Sequence, residues 1–229
     1  MRLTSQISQK KSKGNFIDIE NKGIEAAISL VPIRTNDFSW TIDYTYTKNK
    51  NEVTKLPEGI DKFLINGAYN INFYAIKGQP LGVFQGRTPL LNDAGQVVVD
   101  PNTGIPLQTT DEQDLGTSQR DFVMGLQNTF KYKNLRLSFA FDWKEGGLMY
   151  SYTSRLLGFT GNSIATTYNE RNPFIVPNSV VDNNDGTYSE NSTPINFGSV
   201  TGYYSSSNNP STEATNHVID KTFIRLRDA

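Results

Sequence analysis

The side chains in this 229-residue sequence that have the types needed for chemistry are few, and their spacing is wrong for it. His217 is the single histidine and there is no cysteine, so the nitrogen and sulfur ligands of a zinc site are missing and His217 reads as a surface residue of a polar loop. No Gly-x-Ser-x-Gly elbow frames a nucleophile for acyl transfer. Asp111, Glu112 and Asp114 cluster without a partner pattern, which is the mark of a solvated acidic stretch rather than a general acid and base. Between Val181 and Gly186, Asn183, Asp185 and Gly186 imitate three positions of a calcium loop. Val181 and Ser192 stand where the first and last carboxylates belong, so a hairpin turning on Asp185-Gly186 is expected instead. No glycine-rich phosphate loop occurs. Tyr150, Tyr152, Tyr168, Tyr188, Tyr203 and Tyr204 offer faces on which sugars or peptides stack, but packing within a large loop is the first reading. The sequence predicts neither an enzyme nor a resident cofactor.

The informative residues are apolar and recur at every second position. Phe122, Met124, Leu126 and Phe130 share one parity of a run whose other members are mostly polar or small. After a short turn at 131–134, Leu135, Leu137, Phe139, Phe141 and Trp143 repeat the pattern against Arg136, Ser138, Ala140, Asp142 and Lys144. Upstream, Phe38, Trp40, Ile42, Tyr44 and Tyr46 alternate with Ser39, Thr41, Asp43, Thr45 and Thr47. Alternate strand residues point to opposite faces, so each run is a two-sided strand. Each has the ~9–11 residues that a tilted strand needs to cross a hydrocarbon layer. Rings gather at the strand ends with aliphatics between them, the arrangement of interfacial girdles on a membrane barrel.

Composition is compatible with this reading. Hydrophobic residues make up 36% of the chain and the mean hydropathy is −0.48. Alternation of lipid-facing with lumen-facing residues averages to such values, and no apolar run approaches the ~18 residues of a membrane helix. A net charge of −1 gives no case for nucleic acid. The opening MRLTSQISQKKSKG lacks the apolar segment of a secretory signal, so for an exported barrel Met1 is not expected to be the natural start.

Membrane strands are expected at about 23–33, 37–47, 121–131 and 135–145, with a fifth beginning at 222–229. Residues 1–21 read as a solvated tail, and Pro32 as the end of the first strand. Very short turns alternate with polar excursions at 48–120 and 146–220, as short periplasmic turns alternate with long extracellular loops in outer-membrane barrels. Within the excursions, short strands are expected at 81–86 and hairpins at 96–107 and 180–188. The fold class is therefore all-β: an antiparallel segment of a large transmembrane β-barrel, too few strands to close.

The same segments carry phrases in a recognisable order. Glu20-Asn21-Lys22-Gly23-Ile24-Glu25, Gly78-Gln79-Pro80-Leu81-Gly82, Asp121-Phe122 with Gly125 and Asn128, Asp142-Trp143-Lys144-Glu145-Gly146-Gly147, and Phe223-Ile224-Arg225-Leu226-Arg227-Asp228-Ala229 together resemble the C-terminal barrel half of SusC/RagA-type TonB-dependent outer-membrane transporters. Where many relatives have an Asp-rich stretch, residues 92–120 are plainer. The resemblance implies an outer-membrane importer of oligosaccharide or peptide cargo. It also implies a SusD-like surface lipoprotein as partner, energy from TonB through an N-terminal plug, and membrane lipid around the barrel. On this reading Thr41, Asp43, Gln127, Thr129, Arg136 and Asp142 line the lumen. The rivals are a siderophore-type TonB-dependent receptor and a soluble all-β glycan-binding module, in which the apolar stripes would be covered by a second protein layer.

Overall fold

The computed structural model describes residues 17–195 and 215–228. In chain order its strands are β1 (Asp18–Arg34), β2 (Phe38–Lys55), β3 (Lys62–Ala68), β4 (Ile71–Ile76), β5 (Val83–Gly86), β6 (Val97–Val99) and β7 (Gln113–Thr117). There follow β8 (Phe122–Tyr132), β9 (Leu135–Glu145), β10 (Leu148–Tyr150) and a helix, α1 (Tyr152–Phe159). The last are β11 (Ser179–Asp182), β12 (Tyr188–Glu190), β13 (Val218–Asp220) and β14 (Phe223–Asp228).

Five of these strands make one open antiparallel sheet in the order β1-β2-β8-β9-β14. Its turns are short because the chain supplies the right chemistry at the corners. Thr35 Oγ1 accepts from the Phe38 amide at 3.0 Å, and Lys133 takes a φ of 50° to close the β8–β9 hairpin between Tyr132 and Leu135. The strands are longer than the apolar alternation. β2 continues through Lys48–Lys55, pairing Asn49 with Gly23 and Glu52 with Glu20, where charged and amide side chains erase the sequence signal without interrupting the backbone ladder. Asp18–Asn21, expected in a solvated tail, are the start of β1; residues 1–16, with the Lys10, Lys11 and Lys13 cluster, lie outside the described residues.

Pro32 does not end β1. The register shifts between Leu30 and Ile33, so that Val31 and Pro32 together oppose a single β2 residue in a bulge. Ile33, apolar on the wrong parity in sequence, thereby returns to the apolar face opposite Trp40. A bulge is also where a strand tolerates a residue with no amide hydrogen.

The long excursions fold. β3, β4, β5 and β7 form a four-stranded sheet, β12, β11 and β6 a three-stranded one, and β10 and β13 a pair. The β3–β4 hairpin turns on Tyr69 and Asn70, with φ of 54° and 65°, the left-handed pair that a tight two-residue turn requires. The expected hairpin at 180–188 is present as β11 and β12. The expected hairpin at 96–107 is present too, with Val99 bridged antiparallel to Pro106 and the Leu107 amide donating to the Val98 carbonyl, and β6 also pairs in parallel with β11.

The buried core lies in these excursions. Val53, Leu56 and Ala75 form one cluster, and Ile71 and Phe84 a second with Phe73, Leu115, Leu148, Tyr150 and Val218 against it. Val99, Val176 and Ile195 form a third. Fully burying such an aliphatic or aromatic side chain contributes about 1.5–3 kcal/mol, so this loop body has its own source of stability.

Candidate membrane-facing surface and polar clusters

Register decides which side chains share a face of the five-stranded sheet. Trp40 pairs with Phe130, Tyr44 with Leu126 and Tyr46 with Met124; on the next seam Phe130 pairs with Leu137, Leu126 with Phe141 and Met124 with Trp143. Ile28 and Leu30 join from β1 opposite Tyr44 and Ile42, and Ile224 and Leu226 from β14 opposite Trp143 and Phe141. The apolar residues read from sequence therefore form one continuous face across five strands, and none belongs to the buried clusters of the loop body. Ile24 is 67% exposed, Leu135 70% and Ile224 63%.

Rings band this face at two levels. At the loop end Phe122 stands 5.8 Å from Tyr46 and 5.4 Å from Trp143. At the turn end Trp40 stacks on Phe130 at 5.6 Å, with Phe38 and Phe139 beside the same ring. From Phe38 to Tyr46 a strand advances about 27 Å, which a tilt of about 40° reduces to about 20 Å, comparable with the apolar band of a membrane barrel. One polar side chain interrupts the face. Asn128 falls between Ile42 and Phe139 and is buried, its Oδ1 accepting from the Trp40 indole Nε1 at 3.1 Å. The partner meets most of the cost of an amide at that depth.

On the opposite face Thr41 pairs with Thr129, Asp43 with Gln127, Lys131 with Arg136 and Gly125 with Asp142. Thr129 and Ser138 share a hydroxyl hydrogen bond of 3.1 Å.

The loop body brings together groups that sequence spacing did not connect. Glu112 is not solvated alone: its Oε2 accepts from Lys62 Nζ and from the Tyr74 hydroxyl, both at 2.9 Å, and its Oε1 accepts from Asn72. Burial would raise the Glu112 carboxyl, but the hydrogen bonds from Lys62, Asn72 and Tyr74 and the lysine charge outweigh it and hold the group below its ordinary value. Lys62, Asn72 and Glu112 line an open polar cleft of about 670 Å³ with Asn70, Arg87, Gln108, Thr110 and Asp111.

His217 is not a surface residue. It is 7% exposed, its Nδ1 lies 3.0 Å from Ser154 Oγ, and its carbonyl accepts from the Ser151 amide. The neighbouring Arg155 is buried too, its guanidinium 3.7 Å above the Tyr69 ring, which in turn stacks on Tyr152. Tyr168 packs edge-on against Phe174, so of the predicted tyrosines these two serve packing, while Tyr203 and Tyr204 lie outside the described residues.

Burial first, and the Arg155 charge second, pull the His217 imidazole below its ordinary 6.5. A depressed histidine binds protons more readily unfolded than folded, so its contribution is complete above about pH 6.5 and is lost as pH falls through the folded value. Acidification from about pH 7.5 to 5 is expected to increase protease cleavage around α1, and His217→Asn to flatten that dependence. A wild-type cleavage rate independent of pH over this range contradicts it.

No family model matches the chain. Curated proteins do. TonB-dependent receptor P3 of Formosa agariphila is 29% identical over 184 residues, 69% of this chain and 18% of that receptor. TonB-dependent receptor SusC of Bacteroides thetaiotaomicron is 30% identical over 138 residues, 55% of this chain and 14% of SusC. Over these stretches the chain is similar to SusC-type TonB-dependent receptors. It spans less than a quarter of the length of these relatives. In fold it is similar to a chain of the RagAB peptide transporter, with a TM-score of 0.60 and 15% identity over 93% of this chain and 22% of that one.

Several of the phrases that carry the SusC-type resemblance have structural work in this chain. Gly82 has a φ of +87°, and a Cβ there would meet the Phe73 ring and Ser118 Oγ. Gly125 leaves room for Thr45 Oγ1 on the polar face. Asp142, in the Asp-Trp-Lys phrase, receives Arg227 Nε at 2.5 Å and Arg225 at 3.4 Å from the closing phrase, tying β9 to β14.

Proposed function

We propose that the chain forms an arc of outer-membrane barrel wall, with a folded extracellular loop body, in a TonB-dependent importer of glycans or peptides that works with a SusD-like surface lipoprotein. The observation that carries this reading is the continuous, ring-banded apolar face on a single-layered sheet. In water such a face is an aggregation hazard; against acyl chains it is the stable arrangement. The likeness to SusC and to the RagAB transporter supports the importer class and the lipoprotein partner.

The proposed strands cross the membrane within β1, β2, β8, β9 and β14, with Phe38, Trp40, Phe130 and Phe139 in one girdle and Tyr46, Phe122 and Trp143 in the other. Ile42, Tyr44, Met124, Leu126, Leu137 and Phe141 face lipid between them, and Leu135 lies beyond the first girdle at the turn. The polar parity faces the lumen, and no covalent chemistry is asked of any residue. Cargo passes along hydroxyl, amide and charged side chains while TonB supplies the energy through a plug.

Membrane fractionation tests the reading. The barrel carrying this segment is expected in the outer-membrane fraction, extractable only with detergent, and to co-purify with a surface lipoprotein. Recovery in the aqueous phase without detergent would end the proposal.

A further inference from the structure

Where β2, β8, β9 and β14 meet the loop body, the polar side of the sheet gathers positive charge. Arg120, Lys144 and Arg225 hold their cationic groups 5.4, 5.8 and 5.1 Å from the Phe223 ring, which lies opposite Lys144 in the ladder. Arg225 shares Asp142 with Arg227. The other cations have no such partner: among the described residues no carboxylate lies within ion-pair distance of Arg120, Lys144 or Lys221. Arg120 donates to the Lys221 carbonyl at 3.0 Å, and the Lys221 ammonium donates to the Ser118 carbonyl at 2.5 Å. Of the nearby acids, Glu145 accepts from the Trp143 indole and Asp220 from the Thr222 amide while feeling the Arg120 charge at longer range, and the Asp121 carboxylate lies against Gly146.

Arg120 and Lys221 line a recess of about 430 Å³ together with Thr47, Asn49, Ser118, Gln119, Phe122 and Val123. Burial, and then the Arg120 charge, pull the Lys221 ammonium below its ordinary value, as expected of a cation held beside another. Concave, partly desolvated sites of one sign concentrate counter-ions, and a guanidinium beside an ammonium suits a carboxylate. Recess volume is in the range of small-ligand sites. Most of its wall is hydroxyl, amide and cation, and the one ring in it, Phe122, is packed against Tyr46 and Trp143.

We propose that this recess binds carboxylates of an acidic peptide cargo, with Arg120 and Lys221 as the anion ligands and Lys144 as a steering charge. The inference rests on the importer reading and narrows its cargo. Backbone amides of a peptide match the hydroxyl and amide walls, whereas a sugar would have to stack on Phe122, whose ring already packs against Tyr46 and Trp143.

The test uses the detergent-purified barrel carrying this segment and two fluorescent hexapeptides that differ only in Glu against Gln. The Glu peptide is expected to bind about tenfold tighter at about 50 mM salt, with the preference largely gone at about 500 mM. Arg120→Gln with Lys221→Gln abolishes the preference and leaves the Gln peptide unchanged. Lys144→Gln, whose ammonium makes no hydrogen bond among the described residues and gives up only a distant contact with the Phe223 ring, reduces the preference in a folded barrel. Equal binding of the two peptides, retention of the preference in the double variant, or stronger binding of a uronate oligosaccharide than of the Glu peptide overturns the proposal. Preference for Glu in a barrel that supports no uptake in cells upholds the recess and overturns the importer reading.

Discussion

Leu126→Arg is expected to destabilise the folded barrel by about 2–4 kcal/mol, while Gln127→Arg, one residue further along β8, costs less than about 1 kcal/mol. The asymmetry follows from register. Leu126 stands between Tyr44 and Phe141 on the apolar face, midway between the ring levels at Phe122 and Phe130. A guanidinium there must leave water or drag it into the acyl region, and mid-bilayer is where snorkelling helps least. Gln127 points to the opposite face, exposed, with a long contact of 3.4 Å to Ser138 Oγ that its replacement gives up cheaply. Chemical unfolding in lipid vesicles measures both. The soluble alternative, with a second layer over the stripe, makes Leu126→Arg a core defect in a protein that needs no detergent, so detergent-free recovery separates the two readings. Equal costs at 126 and 127, or a harmless Leu126→Arg, would mean that the face does not meet lipid.

The strands carrying that face were legible because their signal is local. Between Phe38 and Tyr46, and from Phe122 to Trp143, every second residue is apolar or aromatic apart from Asn128, and two-residue periodicity needs no knowledge of what lies elsewhere. Reading failed where structure depends on partners far away in sequence or on a break in the period. β3 contains a register shift between Leu64 and Asn66, and its turn uses Tyr69-Asn70 without a glycine, so the segment lacked both alternation and punctuation. Pro32 looked like a stop because a bulge cannot be seen without the opposing strand. His217 is buried by contacts reaching back to Ser151 and Ser154, and Glu112 is paired with Lys62 fifty positions upstream. Arg120 and Lys221, separated by 101 positions, meet only because β8 and β14 leave the sheet at the same end. The apolar face is written in short-range pattern; the polar clusters are assembled by topology.

Phe84→Ala should unfold the loop body at a cost of about 3–5 kcal/mol while sparing the sheet. Phe84 is 8% exposed, its ring 4.8 Å from Phe73, and it joins Ile71 in the cluster that gathers Leu115, Leu148, Tyr150 and Val218. Those residues come from β4, β5, β7, β10 and β13, so a single ring fastens the four-stranded sheet to the β10–β13 pair. Removing it leaves a void that strand pairing restrains from collapsing. The five-stranded sheet contributes nothing to that cluster and meets the loop core elsewhere, through Val53 at the end of β2, packed with Leu56 and Ala75. Stability is therefore expected to divide into two units, as local unfolding does elsewhere. In the variant, protease cuts within 62–117 should rise sharply, and Trp40 and Trp143 fluorescence in lipid should be unchanged. Loss of both signals together would show one cooperative unit, and would make the loop body a structural brace of the barrel wall rather than a separately stable platform at its mouth.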